Sequence, residues 1–385
     1  MKVVLAVLSV LVLAGAGTGT SALPRCAKDL PRLGSGLPLP VLITTDCARF
    51  RLGPDGKTSY EGRWASPVPP VARGYWMDFT WFGFERHHVV IGRAMQWLWR
   101  SHETYRGTHA GDVGTIALGR RALAFSYFGG RRPGLYVASY DGAEHAVARG
   151  EWPVAFIDGK LVTQTERGAV VVRGLHGSRL GVLARHASDV QVDRQSRIVL
   201  FRAKGGLFTY DGHRVRHLAR LRNLGLTGKF LTIEPLGRVV SLHDQRRLVV
   251  IDHDGRVVAW TPLPRRAKRA DGVSSAVVAN EDATAVAFTA TSGNTAYGSR
   301  GRETIYVLRL GKRRALPMLS ERLVFKVCER MADLAWHGRN LLYSNTELRA
   351  AVLDVSGRRA PIELHRLIAR LPGLRRDGRF DVAWA

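Results

Sequence analysis

The sequence predicts an all-β chain, folded as a single β-propeller of eight, alternatively seven, four-stranded antiparallel blades. Three observations lead there. Short apolar runs rich in Val, Leu, Ile and aromatics recur along the chain with few windows of helical period, turn glycines punctuate them at a blade-like spacing, and a lone strand pattern stands at the C-terminus.

The repeat unit is clearest at Leu135–Tyr140, Leu207–Tyr210 and Leu248–Ile251, which lead into Asp141-Gly142, Asp211-Gly212 and Asp254-Gly255. Asp-Gly between two strand-like runs predicts a tight hairpin of type I′, whose twist matches the strands it joins. Related turns are expected at Gly56, Gly92, Gly177, Gly311 and Gly357. The eight glycines are spaced about 43 residues apart on average, the length of a four-stranded propeller blade. Further hairpins, such as Ala155 to Val162 around Asp158-Gly159, supply the first strand pair of each unit.

Closure is predicted separately. The N-terminal unit (Val41–Thr44, Ala48–Leu52, Lys57–Tyr60) holds three strands, whereas Phe380–Trp384 is an isolated strand with Val382 and Trp384 alternating. Pairing the C-terminal strand with the N-terminal blade would complete four strands and remove an open edge.

Met1-Lys2, the apolar run Val3–Ala14 and the small residues ending at Ala22 describe a secretory signal peptide, residues 1–22. The run is too short to span a bilayer, and Arg25 before Cys26 does not fit a lipoprotein box. Residues 23–385 then form the propeller, with an N-terminal arm over 23–38, in a secreted, extracellular or periplasmic setting. An oxidising compartment permits a disulfide between Cys26 and Cys47, which would pin the arm, or between Cys47 and Cys328, which would tie the first repeat to the last.

The chain carries 58 Lys and Arg against 32 Asp and Glu, a net charge of +26, nearly all of it arginine. Such a field favours anionic polymers such as cell-wall phosphates, acidic glycans or nucleic acid. Arginine in place of lysine is also what a GC-rich genome produces, so composition alone does not establish an anionic partner; nucleic acid is not the expected one, although the charge does not exclude it. The basic runs Arg265–Arg269 and Lys312–Arg314 read as solvated turns.

One stretch carries a family resemblance. Val277–Asp282, then Ala285–Thr291, then Thr304–Leu308 resemble the TolB-like, WD-type repeat of bacterial propellers. In that family a Ser-Pro-Asp-Gly turn precedes two such strands; here Asn280-Glu281-Asp282 stands in the first three places and Ala283 replaces the glycine. The other repeats match more loosely. The resemblance implies the fold and a partner-binding role, and it brings no active site.

Candidate ligand residues are Tyr297, Arg300 and Arg302 in the Gly-, Ser-, Asn- and Arg-rich stretch Thr291–Arg302, read as a loop inserted into the repeat, together with Trp76 and Trp81 in the tryptophan-rich segment Gly74–His109. In that segment Trp97 and Trp99 read as core. The neighbouring pair His87 and His88 would point to opposite strand faces, and His102 with His109 lacks a zinc-binding spacing, so no metal is expected. Asp252-His253-Asp254-Gly255 is read as a hairpin turn rather than a calcium loop, and no G-x-S-x-G or phosphate loop is present, so no cofactor is expected.

The functional expectation is a monomeric, non-enzymatic scaffold binding a protein or an anionic envelope polymer through loops on one face. The alternative is a propeller hydrolase, lactonase or lyase whose carboxylates, with Asp78, Asp112, Asp189 and Asp333 as candidates, converge at the channel mouth. The residues lining that mouth discriminate between the two.

Overall fold

The computed structural model describes residues 30–385, apart from 63–79, 106–112, 264–276, 294–299, 325–331, 372–379 and a few shorter stretches. Among the described residues the chain forms eight consecutive antiparallel sheets, seven of four strands and one of three. We number them as blades 1 to 8 in chain order. The three-stranded sheet, blade 2, is the tryptophan-rich segment (Thr80–Glu85, His88–Arg93, Gln96–Arg100). Helix is confined to Leu221–Leu224 and His365–Ile368.

Closure is as expected. Phe380–Trp384 pairs antiparallel with Val41–Thr45, with Val41 opposite Trp384 and Thr45 opposite Phe380. It becomes the first strand of blade 1 and touches the first strand of blade 8, whose Ala335 carbonyl accepts the Trp384 indole N–H at 3.0 Å. The arm is held too: Leu33 and Leu37 donate backbone bonds to Gly56 and Pro54 in the last turn of blade 1.

The core lies between blades, not within them. Seven buried clusters each join two consecutive blades, for example Val170, Val172, Val199 and Phe201 between blades 4 and 5, or Ala287, Val307, Leu341 and Tyr343 between blades 7 and 8. Alternating side chains of one strand point to opposite sheet faces, so a central strand sends odd residues to one neighbour and even residues to the other. That explains why middle strands such as Ala122–Tyr127 and Val239–His243 are buried throughout instead of alternating.

The turn glycines occupy one structural position. Gly56, Gly142, Gly177, Gly212, Gly255, Gly311 and Gly357 all fall between the third and fourth strands of their blades. Gly92 does not. It lies inside the second strand of blade 2, opposite Trp81 and Trp97, which explains the irregular spacing around it.

The type I′ expectation fails at these turns. An I′ turn needs positive φ at both central residues, whereas Gly212 and Gly255 have φ of 96° and 81° and Asp211 and Asp254 are not left-handed. The hairpin instead bends through right-handed residues and ends on a left-handed glycine, because the leading aspartate caps it: Asp252 Oδ1 accepts the N–H groups of Asp254 and Arg256 at 2.9 and 2.8 Å. The I′ geometry does occur at Asp158-Gly159 and Lys204-Gly205.

Candidate functional site

Each blade's first strand ends in a turn, and four of these ends, from blades 5 to 8, surround a cavity of about 790 Å³. Val192, Leu236, Val278, Leu334 and Trp336 give it an apolar part, and Asp193, Gln195, Arg238, Asn280 and Glu281 make the rest of the wall polar. The first strands of successive blades contact one another, so this is the axial mouth at the end of the ring carrying the first-to-second and third-to-fourth strand turns. In blade 7 those two turns are tied together by Leu310 N–H to Thr284 O at 2.8 Å.

The polar groups around the mouth are mostly engaged in shaping it. Asp193 is 3% exposed, and its carboxylate accepts the N–H groups of Gln195 and Ser196 at 3.0 and 3.1 Å. Ser196 Oγ lies 3.0 Å from Asp193 Oδ2 and 2.6 Å from Gly237 O, linking blades 5 and 6. Glu234 Oε2 accepts the Val277 N–H at 3.1 Å, linking blades 6 and 7. The Trp336 indole donates to Val278 O at 3.1 Å, linking blades 8 and 7. Asn280 Oδ1 caps its own turn by accepting from Thr284 and Ala285. Carboxylates tied up in this way are poorly placed as acids, bases or nucleophiles. The wall leaves apolar surface, the indole of Trp336 and the exposed Arg238 to meet a ligand.

Among the described residues no three His, Cys, Asp or Glu side chains converge to hold a metal ion. Asp189 is bound by Arg202 at 2.8 Å, and Asp333, which precedes the cavity residue Leu334, is exposed and does not itself line the cavity. Asp78 and Asp112 lie outside the described residues. In blade 2, His88 Nδ1 is 2.8 Å from Ser101 O. The backbone N–H groups of His102 and Glu103 both point at the buried Glu144 carboxylate, at 2.9 and 2.8 Å, which also takes the Tyr105 hydroxyl. Burial, reinforced by the negative Glu144, pushes the Tyr105 hydroxyl far above its ordinary pKa. This segment is a structural clasp between blades 2 and 3.

Arg302, the one predicted ligand residue whose side chain is described, does not line this cavity. Of Thr291–Arg302, residues 291–293 and 300–302 are strand rather than inserted loop, and 294–299 lie outside the described residues: Ala285–Gly293 and Arg300–Arg309 pair as far as Gly293 opposite Gly301, with Thr291 and Glu303 buried side by side at that end. Arg302 is exposed, opposite Arg322, at the end of blade 7 remote from the cavity. Arg300 lies opposite Val324, and Trp81 lies opposite Gly92 in blade 2; neither side chain is among those described. Tyr297, Trp76, Cys26, Cys47 and Cys328 lie outside the described residues, as does the 1–22 segment.

No protein-family model matches the sequence, and no curated protein matches it. Among solved structures the chain is similar to AztD of Citrobacter koseri, at 12% identity and a TM-score of 0.47 over 89% of this chain and 98% of that one. It is also similar to BamB from Moraxella catarrhalis, at 12% identity and a TM-score of 0.44 over 74% and 86%. The Dos1 propeller gives 15% identity and a TM-score of 0.40 over 65% and 71%. These similarities are of overall fold, and nothing in them singles out a TolB-like family within the β-propellers.

Proposed function

We propose that the protein is an exported, non-enzymatic propeller scaffold that seats an apolar segment of a protein partner in the axial cavity of blades 5 to 8. The observation that carries this reading is the division of labour at the mouth. Asp193, Ser196, Glu234 and Asn280 are spent on cross-links and caps, while Val192, Leu236, Val278, Leu334 and Trp336 form the apolar part of a mixed wall. Concave apolar surface with a rigid rim is what a hot-spot side chain of a partner needs. Arg238 and the +26 net charge favour acidic residues flanking that side chain. Export is supported by the Met1–Ala22 pattern, and no helix among the described residues is long and apolar enough to cross a membrane. The TolB-like resemblance of Val277–Leu308 agrees with a partner-binding role.

The test is capture of partners from an envelope extract by full-length protein, by Trp336→Ala and by Leu334→Asp. A partner retained by the wild type, lost by both variants and released by rising salt supports the scaffold. Retention by both variants places binding elsewhere. Turnover of a lactone or ester panel that survives purification and is lost with Trp336→Ala would instead favour a hydrolase at the same mouth. N-terminal sequencing of the mature protein should begin at Leu23.

A further inference from the structure

At the end of the ring opposite the cavity, blade 7 presents two glutamates to blade 8. Glu303 and Glu321 stand directly opposite each other on neighbouring strands, Arg300–Arg309 and Leu316–Val324. Side chains in that relation share one sheet face with Cβ atoms about 5 Å apart, a spacing at which two carboxylates repel. Glu303 is 2% exposed and is held as an acceptor: the Tyr343 hydroxyl donates at 2.5 Å and Asn345 Nδ2 at 3.1 Å, both from blade 8. Glu321 is treated differently. Its Oε2 is buried with no hydrogen-bond partner among the described residues. A charged oxygen in that place is costly, whereas a neutral carboxyl tolerates it.

We propose that Glu321 keeps its proton because Glu303 stands opposite it across the strand pair, and that this carboxyl is a pH-sensitive latch joining blade 7 to blade 8. The groups facing Glu321 from the packed elements are Glu303 on its neighbouring strand, Arg349 before the strand Ala350–Asp354, and Glu363 on the last strand of blade 8. Tyr343 and Asn345 face Glu303, and His365 stands 3.6 Å from Glu363. Burial pushes the Glu321 carboxyl up, Arg349 opposes this, and Glu363 and Glu303 push it up further, leaving it above the usual glutamate range. Burial and Arg349 hold His365 below its usual pKa, so it adds little positive charge as pH rises.

The sign follows from proton binding. A carboxyl whose folded pKa is raised binds its proton more tightly in the folded chain, so its contribution is full below the unfolded value, about 4.3, and is lost as pH rises through the folded value. The latch therefore weakens on the alkaline side of that window. Blades 7 and 8 also supply Val278 and Trp336 to the cavity, so the junction concerned forms one wall of the mouth.

The experiment is thermal unfolding of the full chain from pH 4.5 to 8 for the wild type, Glu321→Gln and Glu303→Gln. Wild-type Tm should fall relative to Glu321→Gln as pH rises, by roughly 2 °C for each pKa unit of elevation in a chain of this size. Glu303→Gln, which keeps an acceptor for Tyr343, should shrink that slope. A wild-type minus Glu321→Gln difference that stays flat with pH overturns the latch. Should Glu321→Gln fold poorly, the infrared difference spectrum of the wild type between the ends of this range decides. A protonated-carboxyl carbonyl band lost on alkalinisation, and shifted by Glu303→Gln, supports a Glu321 proton held beside Glu303; a spectrum unaltered by Glu303→Gln refutes it.

Discussion

Gly255 sits against the backbone of the preceding blade so closely that a Cβ placed on it would lie 1.9 Å from the Leu218 carbonyl oxygen. The same relation recurs around the ring. Gly212 meets Asp158 and Ile157, Gly177 meets Val147, and the Gly311 N–H bonds Val258 O at 2.7 Å. Glycine at this turn therefore serves two purposes, a left-handed backbone and contact with the neighbouring blade. The two can be separated. Gly255→Ala should cost roughly 3 kcal/mol, since left-handed strain adds to a clash with backbone that cannot move aside. Gly311→Ala, at φ 82° with nothing near its Cβ position, should cost only about 1 kcal/mol. Denaturant midpoints of the two variants measure the difference, and equal losses would show that blade contact is not what fixes the glycine.

These demands are why the blades were legible in the sequence: a glycine recurs at a turn that favours it, at a period set by one blade. What a dipeptide could not reveal was the turn type, because the capping carboxylate of Asp252 acts from two residues before Asp254-Gly255. Closure was legible because Val382 and Trp384 alternate as a strand with a buried face must. The cavity was not. Its wall takes Val192, Leu236, Val278 and Leu334 from four strand ends some 40 residues apart, each ordinary in its own context. Thr291–Arg302 misled because its glycines, serines and arginines suit a loop, while the buried Thr291 and Glu303 extend the hairpin. The Glu303–Glu321 pair depends on strand register and left no local trace.

Glu151 and Arg173 form a two-pronged ion pair in the interface of blades 3 and 4, at 2.9 and 2.7 Å, with side chains 10% and 11% exposed. Thr163 adds a bond at 2.8 Å. Removing one partner should cost about 3–5 kcal/mol, because the other is left buried and charged, while Glu151→Leu with Arg173→Leu should recover most of the loss. Burial alone would push the Glu151 carboxyl up, but the bonds from Arg173 and Thr163 hold it below its usual range. A depressed carboxyl stabilises above the unfolded value and loses that contribution as pH falls through the folded one, here below about pH 4.3. Acid titrations of stability should show the wild type losing this increment and the double variant lacking it.

Trp384 tests closure. Its indole bonds Ala335 O, and its ring packs in the cluster shared by blades 8 and 1. Trp384→Ala should cost about 2 kcal/mol, below the figure for a wholly buried tryptophan because the ring is only partly buried. Ending the chain at 379 should do far more. It exposes the Val41–Thr45 edge, a template for pairing with other chains. The truncated protein should aggregate by light scattering, and a peptide covering Phe380–Ala385 added in trans should suppress this. A truncated chain that stays monomeric with an unchanged Tm would mean that the ring does not depend on this strand.

Ala283 holds a glycine's conformation without being glycine. Its φ is 50°, at the end of the turn in which its N–H bonds Asn280 O at 2.9 Å and Asn280 caps Thr284 and Ala285. An alanine there costs about 1–2 kcal/mol in left-handed strain, while a glycine gives back part of that gain through the freedom of the unfolded chain. Ala283→Gly should therefore stabilise the protein by roughly 0.5–1 kcal/mol, against the usual direction of Ala→Gly changes in regular structure. The site also borders the cavity, so the substitution should leave partner capture intact while raising the denaturant midpoint. Destabilisation would show that the methyl group's contacts with the neighbouring blade outweigh the strain, because Ala283 packs against the cluster between blades 6 and 7.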